Sequence, residues 1–243
     1  MSHDLKVAVL FSGLPRGFKG TIRRNLWLRK VDVFMHGWHK TGARVNEIHP
    51  SRELEIFKGT DLAQLKVLYR PKAVKLENPE SWSIDGAGIL PSSISKHYPW
   101  AYGRESQSFL DQMLSNNISM WTSVYRSWKA FEEFQEETGQ KYDVVIRARY
   151  DIFPKINLRW IETAFTGGDM VIPDTNHPKY MLNDWFAMGN EEQLRTYCSL
   201  INRFDQIFHS VQEKRSSWCN EYGLFEYLQN ENIPFEALKM EFE

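Results

Sequence analysis

Leu5-Lys6-Val7-Ala8-Val9-Leu10-Phe11, followed at once by Ser12-Gly13-Leu14-Pro15-Arg16-Gly17, decides the reading of the fold. A short β-rich apolar run ending in a Gly- and Pro-containing turn is the pattern of a buried strand that feeds a tight loop. Residues 21–30 then carry Thr21 as a candidate cap, with Ile22, Leu26 and Trp27 at near-helical spacing, and Val31-Asp32-Val33-Phe34-Met35-His36 reads as a second strand. Strand, loop, helix and strand in so short a span is the repeating unit of a parallel α/β sheet with right-handed crossovers.

The alternation continues outward from that unit. Short helices are expected near residues 54–57 and 61–69, and an extended segment at 73–76. Residues 78–104 are rich in Pro, Gly, Ser and Trp and read as a long irregular insertion, a length at which loops commonly act in function. Residues 105–138 have the length and apolar spacing of one long helix or two consecutive ones, and Gly139 is placed to stop it. Strands are expected from residue 141, at 168–173 and at 185–189, helices at 191–211 and 220–230, and an extended end at 233–242. The expected class is a mixed, mainly parallel α/β sheet flanked by helices, in one domain spanning residues 1–243.

Composition removes several function classes. Among 243 residues, 30 Lys and Arg nearly balance 31 Asp and Glu, leaving a formal charge of −1, without the basic excess of a dedicated nucleic-acid binder. The apolar run at residues 7–11 is far short of the roughly 20 residues that span a membrane, and residues 1–6 lack a signal-peptide layout. A soluble, cytoplasmic protein is expected, with no nucleic-acid partner. Cys198 and Cys219 are the only cysteines and have no zinc-type spacing, which fits a reducing compartment.

The most informative chemistry lies in Tyr142-Asp143-Val144-Val145-Ile146-Arg147-Ala148-Arg149-Tyr150-Asp151. Strand alternation puts Val145, Arg147, Arg149 and Asp151 on one face and Val144, Ile146, Ala148 and Tyr150 on the other. Ligands of open α/β sheets bind beyond the carboxyl ends of the strands, so two guanidiniums and a carboxylate there would meet a charged substrate. Arg suits bidentate phosphate binding, and Asp can hold Mg²⁺ or Mn²⁺ between phosphate oxygens. The structural alternative is that one arginine pairs with Asp151 to neutralise a sheet edge. In the first loop, Gly13 and Gly17 permit positive φ or close backbone approach, Ser12 offers a hydroxyl and Arg16 a fixed charge. Neither GxGxxG nor GxxxxGK[ST] is present, which argues against dinucleotide and P-loop readings.

Asn117-Ile118-Ser119-Met120-Trp121 within the long helix, the stretch from Lys141 to Asp151, and Asn183-Asp184-Trp185-Phe186-Ala187-Met188-Gly189 together resemble glycosyltransferases of bacterial surface-polysaccharide clusters and large DNA viruses. The opening Phe11-Ser12-Gly13-Leu14-Pro15-Arg16 matches the same style, and the resemblance covers roughly residues 6–233. It implies a GT-A-like (Rossmann-like) fold that takes a nucleoside diphosphate sugar as donor and a hydroxyl of a glycan or glycoconjugate as acceptor. Ser12, Gly13, Arg16, Arg147, Arg149 and Asp151 would then hold the donor. The family's metal-binding Asp-x-Asp reads Arg149-Tyr150-Asp151 here, with arginine in place of the first acid. Either Asp151 binds a divalent cation, Mn²⁺ or Mg²⁺, or the arginines neutralise the diphosphate without one.

Asp184 and Glu221 are the two candidates for contact with the acceptor hydroxyl, as general base if the reaction inverts. Each has a plain alternative: an Asx turn for Asp184, and a helix-start acid favoured by the dipole for Glu221. His36, Trp38 and His39 are candidates to line the pocket, against the commoner role of a histidine as a satisfied loop or core residue, and His97, Tyr98, Trp100 and Tyr102 form either a sugar-stacking lid or a hydrophobic plug packed on the domain. Two other readings compete with transfer: a non-catalytic carbohydrate-binding or interaction module on the same fold, and a sulfotransferase-like enzyme that uses the first loop for a phosphate.

Overall fold

The structure, a computed structural model, describes residues 5–15, 17–38, 59–77, 107–151, 153–154, 156, 161, 164–166, 168–174, 182–215 and 218–239. The insertion at residues 78–104, the helix expected at 54–57, and Arg16, His39, His97, Tyr98, Trp100 and Tyr102 lie outside that set.

Seven strands form one sheet: β1 (Val7–Gly13), β2 (Asp32–Trp38), β3 (Ala73–Glu77), β4 (Val144–Arg149), β5 (Met170–Pro173), β6 (Phe186–Gly189) and β7 (Phe235–Leu238). Their order across the sheet is β3-β2-β1-β4-β6-β5-β7, with only β6 running against the rest. This is the mixed, mainly parallel α/β sheet that the alternation of segments foretells.

The helices that flank it among the described residues include α1 (Phe18–Arg24), α2 (Gly59–Tyr69), α3 (Gln107–Thr138), α4 (Glu191–Cys198), α5 (Phe204–Arg215) and α6 (Asn220–Asn230). The period-two pattern of the strands divides the core. Val9, Phe11, Val33, Met35, Val144 and Ile146 point to the layer formed by α1 and α2, where Ile22, Leu65 and Tyr69 meet them. Ala8, Leu10, Phe34 and Val145 point the other way, toward Trp121, Trp128 and Phe131 of α3 and Leu194 of α4. Fully burying a large apolar side chain of this kind is worth about 1.5–3 kcal/mol, so both layers are held firmly to the sheet.

Two expected elements are modified by local chemistry. The helix expected at 21–30 starts earlier and breaks at Asn25 (φ −122°, ψ 65°), whose side-chain amide donates to the Thr21 carbonyl, and Leu26–Lys30 continues as a 3-10 turn. Thr21 is not the cap: its hydroxyl donates to the Tyr150 carbonyl, tying α1 to the end of β4. The helix expected at 191–211 is interrupted by a 3-10 turn at Leu200–Arg203, after which α5 sets out afresh. The long helix is continuous as α3, and Gly139 ends it at φ +69°, a conformation that glycine adopts without strain.

Candidate functional site

Between β1 and β4 the chain reverses its direction of progress across the sheet: β2 and β3 are laid down to one side of β1, and β4 to the other. Such a switch point leaves a crevice at the carboxyl ends of the two strands because their following connections diverge. Ser12 and Arg149 are register partners at that edge. Because β6 is antiparallel, its leading residues Asp184 and Trp185 arrive at the same edge, and Arg149 N–H donates to the Trp185 carbonyl at 3.1 Å. The turn after β1 is pressed against the end of β4: a Cβ on Gly17 (φ +63°) would stand 3.2 Å from Asp151 Cα and Cβ. Gly13 also has positive φ, at +101°.

The alternation expected for β4 holds, and it carries Arg147 and Arg149 to one face with different fates. Arg147 is 0% exposed. Its Nε donates to Ser12 Oγ at 3.1 Å and its Nη1 to the Asp184 carbonyl, while Nη2 is buried without a hydrogen-bond partner. Arg149 is 26% exposed and Asp151 25%, and the two form a bidentate pair, Nε to Oδ1 at 3.0 Å and Nη2 to Oδ2 at 2.8 Å. The Trp185 ring lies 5.9 Å from the Arg149 guanidinium, within cation–π range. Of the two readings considered for this stretch, the structure shows the edge-neutralising pair, Arg149 with Asp151, both of them still partly open to solvent.

Asp184 is 5% exposed, and its Oδ2 accepts from Asn220 Nδ2 at 3.0 Å. Asn220 also donates to Asn117 Oδ1 at 3.0 Å, so the first residue of α6, the approach to β6 and α3 meet at one carboxylate. Burial raises the Asp184 pKa above the ordinary aspartate value, opposed by the positive charges of Arg147 and Arg149 and by the Asn220 hydrogen bond. Tyr197 completes the cluster, its hydroxyl 3.4 Å from the Asp184 carbonyl. Glu221 stands next to Asn220 in the first turn of α6, half-buried, and its carbonyl accepts from Leu182 N–H at 3.4 Å.

A second polar cluster lies beneath β1 and β2. Gly13 N–H donates to Ser123 Oγ at 2.7 Å, and that hydroxyl stands 2.8 Å from His36 Nδ1. Which of the two donates depends on the tautomer of the ring, since the Ser123 oxygen can accept a second hydrogen bond. Nε2 faces Glu77 at 3.6 Å, yet Arg126 forms a tight ion pair with the same carboxylate. Burial, then the charges of Arg126 and Lys75, lower the His36 pKa to about 3, so the ring is neutral and does not serve as a cation. Trp38 packs edge-on against it at 4.9 Å.

Asn220, Asn117, Tyr197 and Ser123 were not marked as site residues by the sequence. Asn117 lies within the stretch that carries the family resemblance, which was the one available signal. No group of three His, Cys, Asp or Glu among the described residues could hold a metal ion. Both carboxylate oxygens of Asp151 accept N–H groups of Arg149.

No family model matches the chain, and no curated protein matches it in sequence. Among solved structures it is similar to mouse xyloside xylosyltransferase 1 in its apo form, at 11% identity and a TM-score of 0.43 over 96% of this chain and 84% of that one. A likeness of that size transfers neither activity nor residue roles to this protein. Among the described residues no helix is long and apolar enough to cross a membrane.

Proposed function

We propose that this protein is a glycosyltransferase that moves a monosaccharide from a nucleoside diphosphate sugar to a hydroxyl of a glycan or glycoconjugate. The observation that carries the reading is the junction of the β1 turn, the Arg149–Asp151 pair and the Asp184–Asn220 pair at the switch point of the sheet. It is supported also by the resemblance of residues 6–233 to glycosyltransferases.

The chemistry follows from the charges. Loss of a nucleoside diphosphate needs positive charge where the phosphates gather negative charge. Arg149 is the accessible guanidinium, and a diphosphate would compete with Asp151 for its fork. Freed from that pair, Asp151 would turn to the sugar hydroxyls. Arg147 is a positioning residue in this scheme: it holds Ser12 and the Asp184 carbonyl in place and contributes fixed positive potential from beneath. Arg16 extends the phosphate contacts from the β1 turn. Asp184, with its raised proton affinity, is suited to accept the proton of the acceptor hydroxyl, and Glu221 is the second candidate. A divalent cation at Asp151 would need further ligands from outside the described residues, so no step is routed through one.

The internal pairing of Arg149 with Asp151 also favours a second reading, a carbohydrate-binding module on the same fold without turnover. Thermal melting against a panel of nucleotide sugars, with and without Mn²⁺, separates the two, since a ligand bound only by the folded state raises the melting temperature. Donor-dependent stabilisation with release of free nucleoside diphosphate is expected. A shift with glycans alone would establish the module, and a shift with a phosphoadenosine ligand alone would point to sulfuryl transfer. Asp151→Asn should abolish turnover and change stability by less than about 1 kcal/mol, the usual scale for a partly exposed ion pair. Full activity in that variant would remove Asp151 from the site.

A further inference from the structure

The layer opposite α3 carries a charge pattern that the near-neutral whole chain conceals. Residues 18–30, covering α1 and its 3-10 extension, hold Lys19, Arg23, Arg24, Arg29 and Lys30 and no acid, and residues 59–72 add Lys66, Arg70 and Lys72 against Asp61 alone. Lys19 pairs with Asp61 at 3.7 Å and Lys72 with Asp32 at 3.3 Å. Among the described residues Arg23, Arg29, Lys30, Lys66 and Arg70 are exposed and have no carboxylate at ion-pair distance.

Apolar side chains stand out between these cations. Val67 of α2 is 74% exposed and Leu26 is 59% exposed, two of the three large hydrophobic residues that are exposed among the described residues. Lys19 and Arg23 of α1 and Ala63, Val67 and Leu68 of α2 line an open groove of about 400 Å³. The aromatic rings of this layer are turned inward: Phe18 and Tyr69 are buried, and Trp27 packs on Phe153.

We propose that this face docks on a membrane surface rich in anionic lipid headgroups. Exposed cations on the same elements as protruding aliphatic side chains match a bilayer interface, where basic groups meet phosphates and short apolar groups enter the acyl boundary. Single-stranded nucleic acid would call for a row of exposed rings on which bases stack, and among the described residues of this layer Phe165, 44% exposed, stands alone. Strand alternation puts Ser12 and Arg147 on the opposite face of the sheet, while the start of α1 adjoins Asp151 through Gly17.

Co-sedimentation of the full chain with vesicles tests this, comparing phosphatidylcholine alone with phosphatidylcholine containing one-third phosphatidylglycerol. Binding is expected only to the anionic vesicles, falling with added salt and falling about fivefold for each charge removed in Arg23→Gln, Arg29→Gln and Lys30→Gln. Leu26→Gln with Val67→Gln should weaken it about fivefold without changing the salt dependence, and none of these exposed changes should alter the melting temperature. Absence of binding, or equal binding to both vesicles, would overturn the proposal. So would anionic binding that is indifferent to Leu26→Gln with Val67→Gln and is fully competed by heparin, the behaviour of a plain polyanion surface. Nucleotide-sugar stabilisation is measured without vesicles, so either conclusion can fail without the other.

Discussion

Under β1 and β2 the polar cluster of His36, Ser123 and Gly13 has shed its charge, whereas under β4 and β6 the cluster of Arg147, Ser12, Asp184 and Asn220 has kept it. Both lie beneath α3 at the same edge of the sheet. His36 can give up a proton, and burial makes it do so; Ser123 Oγ stands at its Nδ1, while its Nε2, like Arg147 Nη2, is buried without a hydrogen-bond partner but carries no charge. Arg147 cannot, and it retains a buried Nη2 with no partner beside a carboxylate whose proton affinity is raised. A neutral cluster serves packing. A charged one that is incompletely satisfied is an expensive way to hold a fold together, and perturbed groups of this kind gather where ligands are handled.

The sharpest break in that comparison comes from Asp184→Asn. If the charged cluster works on the acceptor, turnover should fall by about 10²- to 10⁴-fold in a nucleoside diphosphate release assay, the usual contribution of a positioned base. The same variant reads the linkage. A carboxyl whose folded pKa is raised contributes stability below its unfolded pKa, near 4, and loses it as pH rises through the folded value. Asp184→Asn should therefore flatten the decline in stability as pH rises above about 4. Unchanged turnover and an unchanged pH profile would make Asp184 an ordinary loop residue.

Arg147→Ala should cost about 3 kcal/mol in urea unfolding, the lower end for breaking a buried charged contact, because Ser12 and the Asp184 carbonyl lose their donor together. Arg147→Met, which fills the space without charge, should recover most of that stability but not the response to nucleotide sugar. Full recovery of both would place the charge outside function.

The smallest effect belongs to the neutral cluster. His36→Gln should lower stability at neutral pH by about 1–2 kcal/mol through the Ser123 hydrogen bond. With its folded pKa near 3 and an unfolded value of 6.5, His36 contributes stability above pH 6.5 that is lost as pH falls toward 3. The variant should accordingly have a shallower acid limb, by up to about 1.4 kcal/mol per pH unit. An identical acid limb would show that the ring is not held neutral, and the contrast with Arg147 would disappear.

The sheet was legible because its signal is local. Apolar runs of strand length, Gly139 after a long amphipathic segment, and period-two alternation from Val144 to Arg149 all record geometry within a few residues. Alternation also put Arg147 and Arg149 on one face. It could not say that the first would be roofed while the second reached the rim, because that depends on α3, whose residues come earlier in the chain, and on the approach to β6, which comes later. The Asp184–Asn220 contact joins a strand entry to a helix start 36 residues away, and neither residue's neighbours encode it. Asn25 and the turn at Leu200 broke expected helices without a Gly or Pro to announce it, since near-helical apolar spacing persists across both breaks.

Both sulfhydryls of this chain are chemically quiet. Cys198 is wholly buried, Cys219 accepts the Tyr222 N–H at the start of α6, and burial pushes each pKa up to about 12. At neutral pH only about one molecule in 10⁵ would carry a thiolate at either position. A single cysteine engineered on the rim near Arg149 would thus be the dominant target for maleimide, and a fluorophore or spin label could report on the crevice against a silent background.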